Sequence, residues 1–236
     1  MELKRYTSQN RMLVAVDCII FGFDGQDIKQ LLIKRGFEPA KGKWSLMGGF
    51  VQPDESFEAA AQRVLKQLTG LEDVYLEQLY AFGDPHRDPL ERTASIAYFA
   101  LIDISKYEKQ LSSDFHAEWF SLKKIPSLIF DHKEMIKMAK EKLRYKAAFQ
   151  PVLFELLPSK FTLPQLQNLY EAVYESMMDK RNFSRKILST GLLIKQKQKD
   201  KEGSKKGAFY YKLDKKKYQH LFNSFLKFVP EPGKVK

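Results

Sequence analysis

Apolar positions change their spacing along the chain in a way that separates strands from helices. Residues 13–21 (LVAVDCIIF) and 28–34 (IKQLLIK) are short apolar runs joined through Asp24-Gly25, a pair suited to a tight turn, and they read as paired strands. Trp44-Ser-Leu-Met leads into Gly48-Gly49 and a polar loop. Apolar residues then recur at helical spacing over residues 56–68 and stop at Gly70, placed as a helix C-cap. Residues 74–82 and 94–102 read as further strands around the long loop 83–89. Another helix starts near Asp131, where Asp131 and Glu134 have the spacing of a capping box ahead of Met135, Ile136, Met138, Ala139 and Leu143.

Around Gln150-Pro151 the pattern becomes a compact helical unit. Thr162 is placed as an N-cap, with Gln165 to close a capping box, Pro164 in the first turn and an apolar stripe of Leu166, Leu169, Ala172 and Val173. After a short break, Asp179 caps a second helix, with Met178 and Phe183 as a hydrophobic staple, and Gly191 ends it. Residues 192–199 and 208–212 read as two strands around a lysine- and glycine-rich connection. The expected division is residues 1–150, residues 151–225 and a disordered tail at 226–236; there is no internal repeat.

Charge falls unevenly across that boundary. Residues 1–150 carry 22 Lys/Arg against 21 Asp/Glu, whereas residues 151–236 carry 18 against 8, so nearly all of the net +11 lies in the last third. Such a segment faces a polyanion or repels itself; nucleic acid leads, ahead of an anionic membrane and a merely solvated lysine surface. The single cysteine, Cys18, excludes an internal disulfide and reads as a buried thiol. With no secretory leader and no run of about 18 apolar residues, a cytoplasmic protein with no membrane partner is expected.

One stretch can be counted residue by residue. Gly49, five residues, Glu55, seven residues, then Arg63-Val-Leu-Lys-Gln-Leu-Thr-Gly-Leu71 resembles the Nudix box, with Gly49, Glu55, Arg63, Leu65, Gly70 and Leu71 in register. In that family three glutamates on one helix face hold magnesium against a diphosphate; here those positions are Val64, Gln67 and Leu68. Hard cations need oxygen ligands, preferably charged ones, so the expectation is a scaffold that binds without cleaving, with no metal and no cofactor. Arg63 is left to brace the loop through Glu55.

Candidate effector contacts around the old pocket are Trp44 as a stacking face, Gly49, and the loop residues Arg87, Asp88, Glu91 and Arg92. Carboxylate and guanidinium groups suit the hydroxyls of a sugar, and an aromatic ring suits its apolar face. Plainer readings stand beside these: Trp44 as core packing, Asp131 as a helix cap, Arg87, Asp88 and Arg92 as surface ion pairs. The four scattered histidines make no zinc site.

In the basic unit, Phe183, Ile187 and Leu188 fall on one side of the second helix, and Arg181, Asn182, Arg185, Lys186 and Ser189 collect on the other. Arg and Asn are the side chains that bond guanine and adenine edges in bidentate fashion. Lys195, Lys197 and Lys199 alternate onto one strand face, and Lys205 and Lys206 sit at the hairpin tip. Helix, helix, basic hairpin is the order of a winged helix, whose second helix enters the major groove. A helical domain with a solvated lysine surface, or one that docks onto structured RNA, is the alternative.

A degenerate Nudix box followed by this unit resembles the Nudix-related transcriptional regulators over about residues 10–215. That resemblance implies an α+β protein: a Nudix-fold α/β/α sandwich followed by a winged helix-turn-helix domain. Branches of the family respond to ADP-ribose and control NAD metabolism; others control sugar use. Asp17-Cys-Ile-Ile-Phe-Gly-Phe, Phe37-Glu-Pro-Ala, Trp44-Ser-Leu-Met-Gly-Gly-Phe-Val-Gln, Arg87-Asp-Pro-Leu-Glu-Arg, Leu128-Ile-Phe-Asp-His-Lys-Glu-Met and Asp179-Lys-Arg-Asn-Phe are similar to the arabinose-utilisation branch. The resemblance thus implies a homodimeric repressor that binds a palindromic double-stranded operator and releases it on binding L-arabinose. An ADP-ribose-responsive regulator and a divergent Nudix hydrolase are the alternatives.

Overall fold

The structure is a computed structural model and describes residues 9–107, 117–201 and 207–219. The first part runs β1 (Leu13–Phe23), β2 (Ile28–Lys34), β3 (Trp44–Ser45), β4 (Met47–Phe50), α1 (Phe57–Thr69), β5 (Glu77–Phe82), β6 (Thr93–Asp103), α2 (Ile104–Tyr107), β7 (Ala117–Ser121) and α3 (His132–Phe149). Its sheet has the order β3-β2-β1-β6-β5, with β4 paired to β1 and β7 to β2. The central strand β1 runs parallel to β6 along its whole length and antiparallel to β2 and β4.

Period-two alternation along β1 builds two apolar layers. Val16, Cys18 and Ile20 pack with Ala60, Ala61, Val64 and Leu65 of α1. Ile19, Phe21 and Phe23 pack on the opposite face with Met135, Ile136 and Ala139 of α3. A helix on each side of the sheet makes the α/β/α sandwich. Cys18 is fully buried, its Sγ 3.5 Å from the Ala61 carbonyl, and burial pushes the thiol up, as befits a packing residue. The strand read over 74–82 starts only at Glu77, because Val74 is buried in the α1 layer instead of joining the ladder.

The second part runs a 3-10 turn (Val152–Leu156), β8 (Phe161–Thr162), α4 (Leu163–Tyr174), α5 (Lys180–Ser189), β9 (Leu193–Asp200) and β10 (Ala208–Leu213), with a three-stranded sheet ordered β8-β10-β9. Thr162 caps α4 in a full capping box with Gln165, and Asp179 accepts from the Asn182 N–H to start α5. Strand β8 is not foreshadowed by the residue pattern: two residues carry no period, and Thr162 both pairs with Tyr210 and caps the next helix. One apolar cluster runs from the sheet through α3 and the 3-10 turn to Leu166, Leu169, Val173 and Tyr211. Lys205, Lys206 and the tail 226–236 lie outside the described residues. Among those described, no helix is long and apolar enough to cross a membrane.

Candidate functional site

The box keeps its loop and has lost its donors. Arg63 on α1 donates from Nε to Glu55 Oε2 at 2.8 Å and from Nη2 to the Phe50 carbonyl at 3.0 Å, while the Gln52 N–H donates to Glu55 Oε1 at 2.8 Å. The Arg63 bridge first, then the Gln52 N–H, lowers the Glu55 pKa to about 2. Its stabilising contribution is therefore complete above the ordinary carboxylate range and fades as pH falls toward 2. In urea melts, the stability gap between wild type and Glu55→Gln is expected to hold from pH 7 to 5 and to narrow steadily below about pH 4.

Val64 is buried against the sheet, and a Cβ on Gly49 would lie 2.7 Å from Val64 Cγ2. Leu68 packs on the same apolar layer, and the Gln67 amide oxygen accepts from Arg63 at 3.2 Å. Among the described residues no three His, Cys, Asp or Glu gather as metal ligands. This donor set does not fit a Nudix magnesium cluster.

On the other side of Gly48-Gly49 lies a cavity of about 190 Å³, lined among others by Asp17, Arg35, Phe37, Phe50, Arg87 and His132. Its floor is a buried charge network. Asp17, only 4% exposed, accepts from the Ser95 hydroxyl at 2.6 Å. Arg87 donates to both Asp131 oxygens at 2.8 Å and lies 3.5 Å from Asp17. Burial works against its charge, but the Asp131 hydrogen bonds and the two carboxylates prevail, and its pKa is raised. His132 accepts on Nδ1 from the Leu46 N–H at 3.0 Å, with Nε2 3.5 Å from Asp17. Burial lowers its pKa despite Asp17, so it is a neutral imidazole with its proton on Nε2.

Several sequence expectations change here. Asp131 occupies the N-cap position of α3 but makes no cap hydrogen bond, because Arg87 takes both its oxygens. Trp44 stands outside the cavity: its ring packs edge-on to Phe120 at 4.7 Å, against the α3 layer. Arg92 donates to the Gly83 and Asp84 carbonyls at 3.0 and 3.1 Å, and Glu91 is exposed beside it; neither lines the cavity. Gly49 and Asp88 do line it, and Arg87 is a buried floor group instead of a surface one. Sequence spacing did not point to Asp17, Arg35, Phe37, Phe50 or His132 as lining residues. Asp17, Phe37, Phe50 and His132 do fall in the segments that carry the family resemblance, and Asp17 is also the lone charge in the apolar run 13–21.

On α5, Arg181, Asn182, Arg185, Lys186 and Ser189 are all exposed. Phe183 and Ile187 turn inward, Phe183 edge-on to Tyr170 at 5.5 Å. Leu188, expected on the inner side, is 43% exposed. Arg185 donates to Asn182 Oδ1 at 3.0 Å, so the two form one polar unit. On β9, Lys195 and Lys199 hold their ammonium groups 3.7 and 4.5 Å from the centre of the Phe209 ring, a shared strand face as alternation requires.

Residues 11–140 match the NUDIX domain and residues 153–213 the NrtR DNA-binding winged helix domain. Over 220 residues, 92% of this chain and 88% of the relative, the sequence is 33% identical to an ADPR responsive transcriptional repressor of Acinetobacter baylyi. The chain belongs to the NrtR family. The crystal structure of Shewanella oneidensis NrtR complexed with a 27mer DNA aligns at TM-score 0.74 and 32% identity, covering 87% of this chain and 95% of that one. The NUDIX domain of the same protein, complexed with ADP ribose, aligns at TM-score 0.51 and 31% identity, covering 59% and 94%. Membership of the NrtR family corrects the arabinose branch: the relative matched along most of the chain is ADPR responsive, and the tryptophan offered as a sugar platform faces the core.

Proposed function

We propose that this chain is a transcriptional repressor that senses ADP-ribose in the cavity beside Gly48-Gly49, without cleaving it, and reads a palindromic operator as a homodimer through α5. The observation that carries the effector reading is the make-up of the cavity. Phe37 and Phe50 stand 52% and 54% exposed at its mouth, with the Arg35 guanidinium 4.2 Å over the Phe37 ring. Exposed aromatic faces stack a purine, Arg35 meets phosphate charge, and the carboxylates of Glu38 and Asp88 accept from ribose hydroxyls. The ADPR-responsive relative supports the same ligand. Val64 and Leu68 in place of carboxylates support binding without magnesium-dependent cleavage. Exposed Arg181, Asn182, Arg185, Lys186 and Ser189 support α5 as the base reader, with the β9 lysines on phosphates.

Calorimetry with ADP-ribose and L-arabinose in parallel tests this, with release of duplex DNA followed on the same sample and nucleotide products assayed with magnesium. ADP-ribose alone is expected to bind and release DNA, with no AMP accumulating. Release by arabinose alone overturns the effector, and steady AMP production overturns the non-cleaving site.

A further inference from the structure

We propose that α3 couples the effector cavity to the DNA-binding unit as a two-ended rod, anchored at Arg87 and at the turn residue Glu175; as a route for effector action it rests on the ADP-ribose reading. Helix α3 has 18 residues, and at 1.5 Å per residue it spans about 27 Å. Its entry is tied to the cavity floor: Asp131 holds Arg87 through both oxygens, and His132 lies between the Leu46 N–H and Asp17. Arg87, Asp17 and His132 all line the cavity, so a ligand reaching the floor touches the groups that fix this end.

Further along, the same helix grips the helix-turn-helix junction. Lys140 and Arg144 both bind the Glu175 carboxylate, Arg144 Nη2 at 2.7 Å. Arg144 Nε also donates to the Val173 carbonyl at 2.7 Å, and the Tyr174 hydroxyl donates back to the Arg144 carbonyl at 3.2 Å. Glu175 is the C-cap of α4 in the left-handed region, φ 52° and ψ 38°, which side-chain-bearing residues adopt seldom. The ion pairs thus hold an uncommon backbone turn at the junction that aims α5. Between the two ends, Met135, Ala139 and Leu143 sit in the apolar cluster shared with Leu166 and Val173. A close-packed helix moves as a body, so loosening its entry shifts its grip on the turn.

A double-mutant cycle tests the rod without relying on the effector. Asp131→Asn, Glu175→Gln and the double variant are made in the full chain, and affinity is measured for a duplex enriched by the protein itself from a random library. Residues this far apart contribute independently unless something joins them. Asp131→Asn is expected to change operator affinity by about threefold or more, and the change is expected to vanish in the Glu175→Gln background. Glu175→Gly, which suits the left-handed turn without the carboxylate, repeats the cycle, and circular dichroism melts check that each variant is folded. Multiplicative effects of the two variants, or no effect of Asp131→Asn, overturn the rod. In the companion arm, wild-type protein that fails to bind ADP-ribose overturns the effector and leaves the coupling measured by the cycle intact. Effector-driven release as complete in Glu175→Gln as in wild type shows that α3 is not its route.

Discussion

Arg87→Met is expected to cost about 3–5 kcal/mol of folding stability, the range for removing one partner of a buried ion pair. For a chain of this size that lowers the melting temperature by roughly 6–20 °C. The Arg87 side chain is 3% exposed and stands between two carboxylates, Asp17 at 6% and Asp131 at 21%. Without the guanidinium, Asp131 can still hydrate, whereas Asp17 keeps the Ser95 hydroxyl, a neutral His132 and the longer-range charge of Arg35. Most of the penalty therefore falls on Asp17, and Arg87→Met/Asp17→Asn is expected to recover more stability than Arg87→Met/Asp131→Asn. Urea melts of wild type and the three variants check the order. A loss under about 1 kcal/mol for Arg87→Met would mean that water already screens the floor.

This network also marks where sequence spacing stops being informative. Much that rests on contiguous spacing was legible: the Nudix box with its missing carboxylates, the Thr162–Gln165 capping box, the strand over residues 13–21 and the burial of Cys18. Local spacing cannot tell which of two local-looking roles a residue takes when its partner is distant in the chain. Asp131 has capping-box spacing, but its partner is 44 residues away and draws the carboxylate off the helix. Trp44 likewise finds Phe120 across the sheet, which turns its ring from the cavity. The cavity floor draws Asp17, Arg87 and His132 from a strand, a loop and a helix start that only the sheet brings together. Leu188 shows a finer limit: periodicity gives the angle of a side chain around α5, while the width of the buried stripe depends on how far α4 reaches over it.

The largest effect on function is expected at Arg185. A bidentate arginine–guanine contact is worth about 1–3 kcal/mol of discrimination, so Arg185→Ala is expected to weaken operator binding by roughly 5- to 150-fold. Binding to random duplex, which depends on charge, falls far less. The hydrogen bond from Arg185 to Asn182 Oδ1 adds a second consequence: the alanine variant frees Asn182 from its fixed orientation and relaxes base preference at more than one position. Lys199→Ala provides the contrast, because a lysine on phosphate weakens all duplexes alike and lowers the slope of log affinity against log salt by about 0.9. Fluorescence anisotropy over a salt series, with operator and scrambled duplexes, separates the two behaviours. If Arg185→Ala leaves both duplexes bound as before, α5 is not the helix that enters the groove.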